Sequence, residues 1–340
     1  MLSGPVIWIA ATLAATGAQT ARNAMQGSLV GAIGAAGATQ VRFIYGFPFA
    51  CLFLAVVTLV TGETPPAPGL MFFLYVLGGA VAQIFGTAMM LWAISQRSFA
   101  TGIAYTKTEP VLVALFSVIV LGDHLGLMAW AGVLVASAGV IIMSLKPQRG
   151  TAARVIAGPD PAAGAGRQAL PPGWRALPPG WRAFHPGWRA LPPGWRAPGA
   201  GVASAALFAL SSVWFRGAIL ALGDGGFIIR ASTALVASLG LQCVMLGLWL
   251  GLFDRAAFMG SVRVWRASLT AGLMGALASQ CWFIGFSLTS AANVRTLALL
   301  EVVFAQIVSR RVFHEAPGLR EIAGAAMIVA GVAALLATWG

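Results

Sequence analysis

Apolar residues dominate the chain in long runs, which are separated by short breaks rich in Gly, Pro and polar residues. A helix that spans a bilayer needs about 20 mostly apolar residues. Runs of this length, with breaks such as residues 62–68 and 222–226, predict an all-α membrane protein. Ten transmembrane helices are predicted, at about residues 5–23, 38–60, 69–94, 99–121, 126–145, 200–221, 227–251, 267–288, 292–312 and 319–339.

One segment, residues 146–198, departs from this pattern because it repeats the sequence LPPGWRA. Its copies begin at Leu170, Leu177 and Leu191, and the variant FHPGWRA begins at Phe184. Paired prolines interrupt a continuous helix, so the segment is predicted to link two domains, residues 1–145 and 199–340. Two interpretations stay open: a disordered tether, or a Trp/Arg segment that lies on an anionic membrane surface.

The two predicted domains resemble each other in their last spans. A single shift of 192 residues aligns two acidic residues and three glycines of the first domain with counterparts in the second. The aligned pairs are Glu109 with Glu301, Asp123 with Glu315, Gly126 with Gly318, Gly132 with Gly324, and Gly139 with Gly331. Each domain then holds five spans, and an odd number forces the second copy to enter the membrane in the opposite sense. The sequence therefore predicts inverted-topology repeats, the architecture of many secondary transporters.

Short motifs occur in both halves and not in the linker. They are Arg42-Phe43, Glu109-Pro110, Gly122-Asp123 and the Gly132/Gly139 pattern, and similar patterns recur in the ninth and tenth spans. With these motifs the sequence resembles the drug/metabolite transporter superfamily, specifically its ten-helix EamA-type carriers. It departs from that family at Asp123, where Glu is usual, and at Val302, which stands opposite Pro110. The resemblance implies a carrier that exports amino acids, nucleotide precursors, drugs or other small metabolites.

The composition excludes a soluble protein, because 59% of the residues are hydrophobic and only 9% are charged. The net charge of +12 does not indicate a nucleic-acid partner, since eight of the 21 basic residues lie in the linker. Lys and Arg near span ends are held on the cytoplasmic side. We therefore predict a bacterial inner-membrane protein with a cytoplasmic linker and both termini outside. In this assignment Arg22 lies in a loop and Arg42 begins the second span.

Neither a metal or cofactor site nor a catalytic motif is predicted. His124, His185 and His314 lack the spacing of metal ligands, and no HExxH, GxSxG or nucleotide-binding loop occurs. The sequence thus predicts a transporter and not an enzyme. The alternative from another class is an intramembrane enzyme that acts on a lipid-linked substrate, with a site assembled from distant acids.

Two acidic residues, Glu109 and Glu301, lie deep within predicted spans. A charged side chain at the bilayer centre costs about 2.5–3.5 kcal/mol on insertion scales, so both should face an interior or a cavity. We predict that they contact a substrate ammonium group or couple transport to protons, with Lys107 as a further candidate for coupling. The alternative is that both carboxylates are structural.

Aromatic and amide side chains complete the predicted substrate site. Tyr105 lies one turn before Glu109, and buried amides are costly unless they are hydrogen-bonded. The further predicted residues are Tyr75, Gln83, Trp92, Trp214, Gln280 and Trp282. Such a site favours a flat, partly apolar solute, an aromatic amino acid in particular, with drugs or nucleotide-type metabolites as alternatives. The pairs Gly122/Gly126 and Gly247/Gly251 are predicted to mark close helix contacts.

Overall fold

A computed structural model describes residues 4–96, 108–144, 193–304 and 318–337, in which all regular elements are helices. Those of the first half are α1 (Gly4–Thr61), α2 (Leu70–Gln96), α3 (Glu109–Phe116, continued by a π-helical turn, Ser117–Leu121) and α4 (Leu127–Ser144). Those of the second half are α5 (Pro193–Ala221), α6 (Phe227–Phe253), α7 (Arg255–Arg263), α8 (Trp265–Leu288), α9 (Ala291–Leu297) and α10 (Leu319–Leu336). Residues 300–304 are again helical.

The range α1 comprises two helical segments that meet at a bend at Gly34 and correspond to the first two predicted spans. This residue has φ 71° and ψ 171°, a conformation that glycine adopts without steric cost. The helix continues through residues 24–33, where a loop was predicted. Arg22 and Arg42 therefore both lie within α1, where they are only 5% and 6% exposed. The prediction that Arg22 occupies a loop is wrong, and neither buried charge bears on which side the loops face.

Six helices within the described ranges are long and apolar enough to cross a membrane. They are Ala36–Thr61, Leu70–Met90, Gly199–Ala221, Phe227–Phe253, Ser268–Leu288 and Leu319–Leu336, and the segments Glu109–Leu121 and Leu127–Met143 are shorter apolar helices. Large side chains such as Leu59 and Leu319 are more than four-fifths exposed, as expected for surfaces that contact lipid. The all-α membrane fold is thus confirmed, and the number of ten transmembrane helices stays a prediction.

Helices of the first half pack against helices of the second half. The largest interfaces join α1 to α8, α2 to α5, and α4 to α10. At the second of these, the Trp214 ring covers Gly78 and the Phe215 ring covers Gly79, while Tyr75 lies against Gly217. Because glycine has no side chain, each aromatic ring can lie directly on the opposing helix. The α2–α5 interface therefore depends on aromatic residues that pack over glycines.

The α4–α10 crossing is built from four glycines. Gly132 meets Gly331 and Gly139 meets Gly324, and a Cβ atom at any of the four would lie 2.6 Å from its partner's carbonyl oxygen. The residue number rises along α4 as it falls along α10, so the two helices run antiparallel. The sequence repeat equates Gly132 with Gly324 and Gly139 with Gly331, so that exchanging the halves converts one contact into the other. A twofold relation between the halves produces this reciprocity.

Of the two glycine pairs that the sequence singled out, only Gly247 marks a close contact. A Cβ at Gly247 would lie 3.3 Å from Gln40 Nε2 on α1, whereas a Cβ at Gly122, Gly126 or Gly251 would meet no described atom of another element within 4 Å. Gly122 has φ 67° and ends the π-helical turn in the left-handed conformation. Its role is therefore to terminate a helix, and the prediction of close packing there is wrong.

Helix α5 begins inside the predicted linker. Its first residue is Pro193, so residues 193–198 are helical and not extended. Proline suits the first turn of a helix, where its missing N–H has no partner in any case. The remainder of the linker, with most of the LPPGWRA repeats, lies outside the described residues.

Candidate functional site

An ion pair between the two halves lies at the centre of the candidate site. Arg295 Nε on α9 is 3.1 Å from Glu109 Oε1 on α3, and the two side chains are 13% and 15% exposed. Glu109 is the first residue of α3, and Arg295 lies in the last turn of α9. The helix dipole favours an acidic side chain at the N-terminus of a helix and a basic one at its C-terminus. The carboxylate of Glu109 thus has a cationic partner from the opposite half of the chain.

Aromatic rings and hydroxyls surround the guanidinium of Arg295. Its Cζ lies 4.4 Å from the ring centroid of Trp282 and 5.6 Å from that of Phe286, both on α8. Its Nε and Nη2 donate to Ser212 Oγ on α5, at 3.1 Å and 2.9 Å. Cation–π contacts stabilise a guanidinium more strongly when water is excluded.

The site extends from Trp282 to the first helix. Trp282 Nε1 donates a hydrogen bond of 3.1 Å to Gln19 Oε1 on α1. Side chains from α1, α3, α5, α8 and α9 therefore meet around one cation, one carboxylate and one indole. Both halves of the chain contribute, so a relative movement of the halves would change these contacts directly.

A second ion pair lies near the end of α8. Arg216 Nε is 3.5 Å from Asp123 Oδ2, and Arg216 Nη1 donates to the carbonyl oxygens of Phe286, at 2.7 Å, and Thr289. Carbonyls at a helix C-terminus lack partners within the helix. Arg216 supplies hydrogen-bond donors to these carbonyls. It also joins α5 to the ends of α3 and α8, and the structure therefore supports a bracing role for Arg216.

Two of the predicted amides make hydrogen bonds to α6. Gln242 Nε2 donates to Gln83 Oε1 at 2.7 Å, and Gln280 Nε2 donates to Ser232 Oγ at 2.9 Å. Gln242 is fully buried, and Gln280 is 7% exposed. One bond joins α6 to α2, a helix of the first half, and the other joins α6 to α8, a helix of the second half.

Replacing Gln83 by Leu is expected to destabilise the protein by about 1–3 kcal/mol, because the buried donor of Gln242 then has no acceptor. The double variant Gln83→Leu/Gln242→Leu replaces both partners with apolar groups and is expected to recover much of that loss. Thermal unfolding of the purified variants in one detergent measures both effects. A double variant that melts at the sum of the two single losses would contradict the assignment.

The structure brings some of the predicted site residues together and not others. Glu109 and Trp282 meet at Arg295, whereas Gln83 and Gln280 bond elsewhere along α6. Tyr75 and Trp214 pack over glycines between α2 and α5, and Glu301 is half-buried in the helical residues 300–304. Tyr105, Lys107 and the side chain of Trp92 lie outside the described residues.

Arg295 is the central residue that sequence reasoning missed. It was not among the predicted site residues, but it pairs with Glu109 across the two halves. Gln19 was not predicted either, although it follows Thr12 and Thr16 at helical spacing, and the burial of both threonines shows that this polar stripe faces inward. The spacing of Gln19 and Arg22, three residues apart on a helix, was the available signal for a polar inner face.

The fold and site define a multi-pass, all-α membrane protein with interlocked halves. The sequence matches the EamA-like transporter family over residues 5–145 and 199–337, and the chain belongs to that family. This family comprises membrane transporters of small molecules and not enzymes. The two matched segments correspond to the two halves described above.

Solved structures support the same fold. Twenty-four solved chains match the structure. One of them, titled "Crystal structure of protein", aligns with a TM-score of 0.59 and 17% sequence identity, and the alignment covers 98% of this chain and 96% of that one. No curated protein matches the sequence. The likeness to the solved structure concerns the fold alone.

Proposed function

We propose that the protein exports small metabolites, with aromatic amino acids as the favoured class, by alternating access in a bacterial inner membrane. The observation that carries this proposal is the Glu109–Arg295 pair, which joins the two halves at 3.1 Å beside Trp282. Buried ionisable groups in membrane proteins mark substrate or ion pathways. A site built from both halves is the arrangement that rocking of one repeat against the other requires.

Each group at this site has a part in the proposal. Glu109 offers a negative charge, which matches the ammonium of an amino acid, and Arg295 holds this carboxylate before the solute enters. Trp282 offers a ring face to an aromatic side chain. Entry of the solute transfers the Glu109 carboxylate from Arg295 to the solute ammonium, and release of the solute restores the pair.

Proton coupling is proposed for Glu109, Glu301 and Lys107. Glu109 and Glu301 occupy equivalent positions in the sequence repeat and lie in helices of opposite halves. A proton that binds at Glu109 removes the charge that holds Arg295. Protonation would thereby favour separation of the halves at this point.

The proposed orientation places the linker in the cytoplasm and both termini outside. It rests on the basic residues of the linker and of exposed positions such as Arg263 and Arg266. Cysteine substitution at Thr64, in the exposed break after α1, tests it. Labelling of intact cells by an impermeant thiol reagent is expected, and protection would contradict this orientation.

Flux through liposomes that contain the purified full-length protein tests the proposed function. Labelled phenylalanine, tryptophan, alanine and uridine are supplied with and without a pH gradient, and mass spectrometry checks that each solute leaves intact. We expect saturable movement of the aromatic amino acids above that in protein-free liposomes. Movement of uridine alone would refute the amino-acid assignment, and chemical conversion of a solute would refute the transporter mechanism.

A further inference from the structure

Two buried arginines of α1 approach each other against α8. A Cβ atom at Gly275 would lie 3.2 Å from Arg22 Cδ and 3.7 Å from Arg42 Cγ. The two arginines come from opposite sides of the bend at Gly34, so the bent helix brings them to one glycine of α8. The absence of a side chain at Gly275 leaves room for both stems.

Neither arginine has an acidic partner among the described residues. Arg22 donates only to its neighbour Asn23, at 2.8 Å from Nη2 and 3.3 Å from Nε, and its Nη1 has no hydrogen-bond partner in the described chain. Arg42 Nε likewise has none there, and its guanidinium lies 5.5 Å from the Phe43 ring. Buried charges in proteins are ordinarily paired or hydrogen-bonded. This pair therefore has unused capacity to bind an anion.

A third cation increases the need for an anion. Arg22 and Arg42 repel each other, and both are also repelled by Arg295. Arg295 has the carboxylate of Glu109, whereas the two arginines of α1 have no such partner among the described residues. An anion between Arg22 and Arg42 would relieve this repulsion.

The arginine pair lies on the same face of α8 as the candidate substrate site. Gly275 and Trp282 are seven residues apart, which is two helical turns or about 10 Å. On α1, Gln19 contacts Trp282 and lies one turn before Arg22. The two arginines and the Trp282–Arg295 cluster are therefore neighbouring parts of one interior region, separated by the length of a small solute.

We propose that Arg22 and Arg42 hold an oxyanion of the transported solute, a carboxylate or a phosphate. This inference rests on the proposed transport function and adds the chemical class that the solute must carry. Guanidinium groups bind carboxylate and phosphate through paired N–H donors in a planar fork. The solute would place its anionic group at Gly275 and its remaining part toward Trp282.

Thermal unfolding of the purified full-length protein in detergent tests the site without requiring transport. Sodium benzoate, neutral benzamide and inorganic phosphate are titrated at an ionic strength held constant with chloride. We expect benzoate or phosphate, but not benzamide, to raise the unfolding midpoint in a saturable manner. Arg22→Gln and Arg42→Gln should each weaken this apparent affinity at least tenfold. Arg263→Gln, which removes an exposed arginine of α7, should leave it unchanged.

Each alternative outcome has a definite consequence. Failure of both anions to stabilise the wild type, or equal stabilisation of the two Gln variants, overturns the proposal. If the Gln variants do not fold, Arg22→Lys and Arg42→Lys keep the charge but lose the fork, and wild-type affinity in both would overturn it. Stabilisation by phosphatidylglycerol over phosphatidylcholine that neither soluble anion reproduces would assign the site to a lipid headgroup and also overturn it.

The outcomes for this site and for transport are separable. Anion-dependent stabilisation with no flux of any solute through liposomes would refute the proposed function while the anion site stands. Flux of aromatic amino acids with no anion-dependent stabilisation would support transport and refute the role of Arg22 and Arg42.

Discussion

Replacing Glu109 by Gln is expected to reduce solute flux at least tenfold and to destabilise the protein by roughly 3–5 kcal/mol. The substitution removes the carboxylate that lies 3.1 Å from Arg295 and leaves that cation with Ser212 and the rings of Trp282 and Phe286. Removing one partner of a buried pair is costly because it leaves an uncompensated charge in a poorly solvated site.

A double-mutant cycle separates the pair from the other contacts of each residue. Arg295→Gln is expected to be as damaging as Glu109→Gln, because it removes the cationic partner of a carboxylate that is only 15% exposed. The double variant Glu109→Gln/Arg295→Gln contains no charge at either position. It should therefore be more stable than the sum of the single losses predicts, with a coupling energy of about 1–3 kcal/mol.

Thermal unfolding in detergent and flux into liposomes are measured on the same preparations. Glu321→Gln serves as the control, because Glu321 accepts a hydrogen bond from the Gly318 backbone at 2.9 Å and Gln also supports this capping contact. We expect its stability and flux to match the wild type. Normal flux of Glu109→Gln at every pH would refute both proton coupling through Glu109 and its proposed contact with substrate.

The apolar spans could be predicted closely from the sequence because lipid imposes one requirement on every spanning helix. Such a helix must be about 20 residues long and mostly apolar, and it must satisfy its backbone hydrogen bonds internally. Helix α2, for example, was expected at residues 69–94 and is observed at Leu70–Gln96. Composition carries no comparable signal for a bend, which explains why residues 24–33 were predicted as a loop and not as part of the helix that ends at Gly34.

The site was less predictable because its geometry depends on which helices meet. Glu109 was recognised since an acid deep in an apolar span is costly, but nothing in its own span identifies Arg295, 186 residues further along, as its partner. Trp214 and Tyr75 were indistinguishable from Trp282 in sequence. Only the packing shows that the first two lie over glycines of opposing helices and that Trp282 lies over a cation.

The glycines show the same difference between local and tertiary signals. The sequence repeat identified Gly132 and Gly139 as equivalent to Gly324 and Gly331. Close packing was predicted instead for the glycines spaced four residues apart, such as Gly122 and Gly126. Gly122 instead serves the local backbone, with a positive φ at a helix end. The four equivalent glycines form a close backbone crossing between the halves at α4 and α10, which makes them a direct test of the fold.

Gly139→Ala is expected to lower the free energy of unfolding by about 1–3 kcal/mol, the range for overpacked interiors. Its new methyl group would lie 2.6 Å from the carbonyl oxygen of Gly324 and 3.0 Å from the backbone nitrogen of Ile328. Both atoms belong to backbone that cannot rotate away, so α4 and α10 must move apart. Thermal unfolding of the purified variant, compared with the wild type in the same detergent, measures the loss.

Gly251→Ala supplies the matched control, since it also adds one methyl group to a glycine of an apolar helix but meets no described atom within 4 Å. It should melt at or slightly above the wild-type temperature because alanine favours the helix. Gly139→Ala/Gly324→Ala should lose less than the sum of its two single variants, because the first methyl already separates the helices at the shared contact. Equal melting of Gly139→Ala and Gly251→Ala would show that α4 and α10 do not cross at these glycines in the membrane protein.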